Sequence, residues 1–263
     1  MKKLRIGVVP YMNAKPLIYG LSRLSNSIEL SFEVPSLLPG MLDNNQVDVA
    51  IIPSVEYIRS GKYVIVPDIS ISSAGIVESV KLFSKVPVQE IRTIALDKSS
   101  LTSSMLTRII IKELYHISPQ YLSWNKHYDI SRSDSDAVLL IGDNAMRVTN
   151  DEYVTLDLGQ VWFEYTGLPF VYAVWAIKKD HHIPGINALL KDTKEAGIRS
   201  VDIIAAEEAQ RLQLPYERCL HYLTHSIRYD LGKNEIKGLK AFYQHIVSSG
   251  PASKDMEIVF HAA

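Results

Sequence analysis

Two polar clusters in the chain stand where chemistry is readily built. Pro10-Tyr11-Met12-Asn13-Ala14-Lys15-Pro16-Leu17 follows the apolar run Leu4–Val9 and opens a helical pattern. With Pro16 in the first turn of that pattern, Asn13 has two possible roles. It can cap the helix, or it can join the following backbone N–H groups in binding the oxygens of a ligand. Asp97-Lys98-Ser99-Ser100-Leu101-Thr102-Ser103-Ser104 follows the run Arg92–Leu96 and opens a longer helical pattern. Capping needs one hydroxyl. The surplus at an end that carries unpaired N–H groups and partial positive charge suits a carboxylate or phosphate.

Three further clusters repeat the arrangement of strand end followed by polar turn. They are Ile52-Pro53-Ser54-Val55-Glu56-Tyr57, Glu78-Ser79-Val80 and Gly142-Asp143-Asn144-Ala145. Each taken singly reads as turn and cap chemistry. Together, polar groups at strand ends in two parts of the chain describe a cleft. Ser54, Glu56, Ser79, Gly142 and Asp143 are therefore candidates to line it.

The elements that must position these clusters alternate. Short β-rich runs occur at Leu4–Val9, Ile28–Val34, Val47–Pro53, Tyr63–Pro67, Val80–Ser84, Arg92–Leu96 and Ala137–Ile141, with a last one at Phe170–Ile177. Several are continuously apolar, as in strands buried on both faces. Helical patterns lie between them, at Ala14–Leu24 and Leu101–Ile117. The alternation predicts an α/β protein with a largely parallel sheet. After Pro184-Gly185 only helices are expected, over Ile186–Glu195, Ser200–Leu212, Tyr216–Leu223 and Asn234–Val247. Such a tail must pack on a sheet made earlier. At about 150 residues per domain, 263 residues make one large domain or two modest ones. The expected organisation is two α/β lobes. Residues 1–87 and 172–263 form lobe 1, residues 88–171 form lobe 2, and the crossings fall near Pro87 and Phe170.

Composition narrows the function classes. The chain is 47% hydrophobic and 22% charged, with 28 basic and 29 acidic residues, as in an ordinary soluble globular protein. A net charge of -1 gives no general electrostatic footprint for nucleic acid or anionic membrane. No run approaches the roughly 20 apolar residues of a membrane span. The apolar run after Lys2 and Lys3 is stopped by Pro10, short of a signal-peptide core, so a cytoplasmic protein is expected. The single cysteine, Cys219, reads as a small buried side chain. His221 and His225 have zinc-like spacing, but Tyr222 stands where a zincin needs Glu, and no metal site is expected. Glycine signatures of nucleotide sites and the nucleophile elbow are missing. The aromatic stretch from Trp162 through Phe163, Tyr165, Phe170 and Tyr172 to Trp175 reads mostly as core, with one or two rings left to face a ligand.

Several of these segments, taken in order, resemble one family. IGVVPYMNAKPLIYGL is similar to the opening of the chorismate dehydratases of the futalosine route to menaquinone. The resemblance continues in VDVAIIPSVEYIRS, in the run from Ile65 to Ser103, in IGDNAM and in LGQVWFEYTGLPFVYAVWA. It covers roughly two-thirds of the chain and leaves out the helical tail. Pro10 and Lys15 depart from the family's usual residues without touching the Asn and Pro of the motif. The resemblance implies a periplasmic binding protein type II-like fold, two lobes with a ligand cleft between them. It also implies conversion of chorismate to 3-[(1-carboxyvinyl)oxy]benzoate and water without a cofactor. By the same resemblance Asn13 and Ser79 are polar contacts in the cleft, and the Ser99-Ser100-Thr102 helix terminus is a carboxylate site.

The proton acceptor stays open between Asp143, Glu56 and the substrate's own enolpyruvyl carboxylate. The lack of a histidine in the matched segments and the excess of neutral donors favour the last. Two other readings share the fold. One is a non-catalytic solute-binding protein of a transporter. The other is the related enzyme later in the pathway that makes a dihydroxynaphthoate.

Overall fold

The computed structural model describes residues 3–124, 129–148, 152–247 and 257–262. Ten strands within these residues form two five-stranded sheets. They are β1 (Leu4–Val8), β2 (Ile28–Phe32), β3 (Val49–Pro53), β4 (Tyr63–Ser73), β5 (Val80–Ser84), β6 (Thr93–Asp97), β7 (Gln120–Trp124), β8 (Ala137–Ile141), β9 (Val154–Asp157) and β10 (Phe170–Lys178). The first sheet has the order β2-β1-β3-β10-β4 and the second β7-β6-β8-β5-β9. The uninterrupted apolar runs Val49–Pro53 and Ala137–Ile141 become β3 and β8, buried along their whole length inside their sheets.

Neither sheet is mainly parallel. β1 runs parallel to β2 and β3, and β6 parallel to β7 and β8. β10 lies antiparallel to both its neighbours, as does β5. These two strands follow the crossings between the sheets, so each enters its sheet against the direction of the strands beside it. β5 pairs with β8 and β9, which sets the first crossing between Ser73 and Val80, upstream of Pro87. The apolar signature of Val80–Ser84 is the same whichever sheet receives it, so only pairing makes the assignment. β7 and β9 had no expected counterpart in the sequence. Both are edge strands whose residues are mostly exposed or half-buried, and edges carry little apolar signal.

Nine α-helices complete the described fold: α1 (Leu38–Asp43), α2 (Ser54–Ser60), α3 (Leu101–Glu113), α4 (Gly142–Arg147), α5 (Leu158–Thr166), α6 (Ile186–Arg199), α7 (Val201–Leu212), α8 (Tyr216–His221) and α9 (Lys233–Val247). Where an α-helix was expected over Ala14–Leu24, the chain makes two 3-10 turns, Met12–Leu17 and Leu21–Leu24. Pro16 has no N–H to extend a helix, and Gly20 between the turns has φ +80°. α8 likewise stops at His221 and passes into a π turn, Tyr222–Ser226.

The helical tail does return to the first sheet. α6 packs on β4 and on the Met12–Leu17 turn, and α9 packs on β10. The approach of α6 is so close that a Cβ on Gly197 would stand 1.9 Å from the Pro16 carbonyl oxygen. The free edge of β4 is covered by the tail as well: Ser72 and Arg228 exchange backbone hydrogen bonds of 3.0 and 2.8 Å. Cys219 is fully buried. Trp162 packs edge-on against Phe170 and Phe242 in the main core.

Candidate active site

The ends of β1 and β3 and the start of the antiparallel β10 face the start of β5, the end of β8 and the start of α3 across a cleft that opens to solvent. From the first sheet come Tyr11, Asn13, Pro53 and Tyr172. From the second come Ser79, Ser100, Thr102, Ser103 and Gly142. No Asp, Glu, Lys, Arg or His is among the described residues that line it. The cleft is therefore apolar-walled with neutral polar groups.

Asn13 is not a cap. The 3-10 turn starts after Tyr11, and no side chain caps it. The Asn13 Oδ1 is instead buried with no hydrogen-bond partner in the protein. A buried acceptor left unpaired costs about 1–3 kcal/mol, which a ligand donor would recover. The Asn13 side chain also favours the ionised form of the Tyr222 hydroxyl, as an N–H donor does.

Ser79 is 1% exposed and sits on the first crossing. Its Oγ accepts the Tyr222 O–H at 2.8 Å, and its carbonyl accepts the Gly142 N–H at 2.7 Å. Glu78 beside it has φ +60°, a left-handed backbone held by Asp157. The Asp157 carboxylate accepts the N–H groups of Val77 and Glu78 at 3.0 and 2.7 Å, and it caps α5 through Gln160. Burial pushes the Asp157 carboxyl above the usual carboxylate value, against the pull of those N–H groups.

At the start of α3, Ser100, Thr102 and Ser103 are buried and reach the cleft. The Thr102 Oγ1 also accepts the Val55 N–H of α2 at 3.3 Å, tying two helix starts together. Ser99 is turned away. Its N–H and O–H both donate to Asp97 Oδ1, at 2.8 and 2.7 Å. Ser54 is fully buried behind the cleft and donates to the Val171 carbonyl at 2.7 Å.

Glu56 lies in the first turn of α2, outside the lining residues. Asp143 is buried at the start of α4, and both of its oxygens are engaged. Oδ1 accepts the Met12 N–H at 3.0 Å, and Oδ2 accepts Arg211 at 2.6 Å. Arg211 also pairs with Glu208, which Lys15 approaches at 3.5 Å. Asp143 thus fastens the second sheet to the Asn13 turn. Gly142, at φ +59°, brings the backbone so near Tyr11 that a Cβ would meet the ring at 2.8 Å.

Besides the apolar walls, Tyr11, Tyr172 and Ser103 line the cleft and lay outside the candidate set. Tyr172 falls at a bulge, where the register of β10 against β4 shifts between Val171 and Ala173. Its hydroxyl meets Ser73 Oγ at 2.9 Å, and burial, with Asp157 adding, holds it well above a tyrosine's ordinary pKa. The aromatic stretch did mark Tyr172 as one of several rings with a possible ligand face. Ser103 belonged to the serine cluster without being singled out. His221 and His225 stack with centroids 4.7 Å apart, away from the cleft lining.

Two mixed sheets with a ligand cleft at their strand ends define the periplasmic-binding-protein class of fold. Solved structures agree on the fold. A protein of Archaeoglobus fulgidus superposes with TM-score 0.75 at 17% identity, covering 94% of this chain and 97% of that one. The periplasmic aliphatic sulphonate binding protein of Escherichia coli follows with 0.67 at 13%, covering 98% and 91%. At the level of sequence, the model of the menaquinone biosynthesis family matches residues 4–248, and the chain belongs to that family. It is 30% identical to the chorismate dehydratase of Thermus thermophilus over 92% of this chain and 94% of that one. It is 27% identical to the chorismate dehydratase of Campylobacter jejuni, over 90% and 94%. Among the described residues, no helix is long and apolar enough to cross a membrane.

Proposed function

We propose that this chain is a chorismate dehydratase, converting chorismate to 3-[(1-carboxyvinyl)oxy]benzoate and water. The relatives it matches along nearly all their length carry that activity. The observation that carries the mechanism is the uncharged lining of the cleft around an unpaired, buried Asn13 carbonyl.

The ring carboxylate of chorismate is conjugated with the C1–C2 double bond, so the C3 hydrogen is vinylogous to it. Removing that proton places charge on the carboxylate. Binding the carboxylate at the start of α3, with its free N–H groups and the Ser100 and Thr102 hydroxyls, stabilises the charge as it develops. The electron pair then returns to form the C3–C4 π bond of a benzene ring as the C4–O bond breaks, and the C4 hydroxyl leaves with a proton as water. Asn13 and Ser79 are read as the groups that hold the C4 side of the ring.

A neutral cleft favours the substrate's own enolpyruvyl carboxylate as the proton acceptor, held near C3 by the protein. Both oxygens of Asp143 are already bonded, and Glu56 stands outside the lining. Incubating the purified chain with chorismate and following ultraviolet absorbance, with mass detection of a loss of water, tests the activity. An unchanged substrate would leave a binding protein as the better reading. Turnover by Glu56→Gln and Asp143→Asn tests the acceptor. A loss of several orders of magnitude in either, with folding and ligand binding intact, would overturn substrate-assisted proton transfer.

A further inference from the structure

Tyr222 is fully buried, and no step of the reaction above uses its hydroxyl. It opens the π turn after α8, where the widened turn directs the side chain at the crossing segment 143 residues upstream. Its hydroxyl stands between two groups that line the cleft. Its own proton goes to Ser79 Oγ at 2.8 Å, and the Asn13 side chain favours its ionised form, as an amide N–H donor does. Burial raises its pKa far above an ordinary tyrosine, so the proton is held there throughout.

The hydrogen-bond inventory of this row has one consistent direction. A tyrosine hydroxyl has a single proton to donate, and that of Tyr222 goes to Ser79. Ser79 Oγ accepts that proton, so its own O–H is left to point elsewhere. The remaining direction is the cleft that Ser79 lines. At the other end, Asn13 lines the cleft and its Oδ1 is the atom found buried and unpaired, as it would be with the amide nitrogen turned toward Tyr222.

We propose that Tyr222 is a positioning residue that sets the polarity of the site, making Ser79 a hydrogen-bond donor and Asn13 an acceptor toward the substrate. This deepens the dehydratase reading and rests on it. An acceptor suits the proton of the C4 hydroxyl in the bound substrate. A donor suits the oxygen of that hydroxyl as it departs. Without the Tyr222 hydroxyl, Ser79 can turn its proton inward and Asn13 can rotate its amide, so the two groups no longer have assigned roles.

The test compares wild type, Tyr222→Phe, Ser79→Ala and the double variant in steady-state chorismate turnover, with thermal melting and product binding on each. Tyr222→Phe keeps the ring and removes only the hydroxyl. The expected result is a fall in kcat of about 10- to 100-fold, with KM and product affinity within about threefold of wild type. In the Ser79→Ala background the same change should cost no more than about twofold further. Fluorotyrosine installed at position 222 alone keeps the hydroxyl and should hold kcat within about threefold of wild type. The proposal is overturned if Tyr222→Phe matches wild type, if its loss multiplies fully with that of Ser79→Ala, or if the fluorotyrosine chain fails as badly as the phenylalanine one. If the wild-type chain itself leaves chorismate unchanged, the activity reading fails first and takes this inference with it.

Discussion

After β1 the chain makes a six-residue 3-10 turn, whereas after β6 it enters a thirteen-residue α-helix, and both segments reach the same cleft. The helix offers a collective device. Free N–H groups, an aligned dipole and neighbouring hydroxyls share one charge, and no single side chain is indispensable. The 3-10 turn is too short and irregular to act through a dipole. It offers one side chain, Asn13, whose carbonyl is desolvated and unpaired. Distributed donors bind a charge that exists from the start and share the part that develops, so losing one of them costs little. A single preorganised group is better placed to respond to what changes during the reaction.

That contrast can be broken most decisively at Asn13. Asn13→Ala should reduce kcat/KM by about 10²- to 10³-fold, a loss of about 2–4 kcal/mol of transition-state stabilisation, with most of it in kcat. A fall confined to KM would make Asn13 a ground-state contact.

Gly142→Ala comes next, because it disturbs the joint between the 3-10 turn and the second sheet. The new methyl would press on the Tyr11 ring and sit at a positive φ. Melting should fall by an amount equivalent to about 1–3 kcal/mol, and KM should rise as the cleft is held apart. Wild-type melting and KM would show that the close approach relaxes freely.

Thr102→Val replaces the hydroxyl by a methyl of the same shape. It leaves the Val55 N–H without its partner at a buried site. The expected cost is about 1–3 kcal/mol of stability, with KM raised several-fold and kcat little altered. A large fall in kcat would mean that the helix start is not the shared device described.

Ser99→Ala should do least. Ser99 spends its hydroxyl on Asp97, so the change should cost only about 0.5–1 kcal/mol of stability and leave KM unchanged. A raised KM would bring Ser99 into the carboxylate site.

Much of the cleft was legible in the chain because strand ends advertise themselves. An apolar run followed by Asn-x-x-Pro, by a serine cluster or by Gly-Asp must turn where β1, β6 and β8 stop, and Asn13, Ser100, Thr102 and Gly142 follow from that. Asp143 was legible as a turn carboxylate and a candidate base but not in its use. Its engagement depends on Arg211, 68 residues further on, which approaches only when α7 packs. Tyr222 carried no local signal at all. In the chain it is an aromatic residue in a helical pattern, and its role arises from a π turn meeting the crossing segment. Sheet membership was hidden for a similar reason, since β5 has the same apolar pattern in either sheet.

The amino-acid sequence by itself determined the alternation of strands and helices, the neutral character of the polar clusters and their position at strand ends. Those are local properties, set by hydrophobic period and turn chemistry over a few residues. Which clusters share one cleft, which hydroxyls face it and which carboxylates are already spent depended on the tertiary structure. Those outcomes turn on hydrogen bonds between groups far apart in the chain, such as Tyr222 to Ser79, 143 residues apart, and only packing brings such pairs within reach.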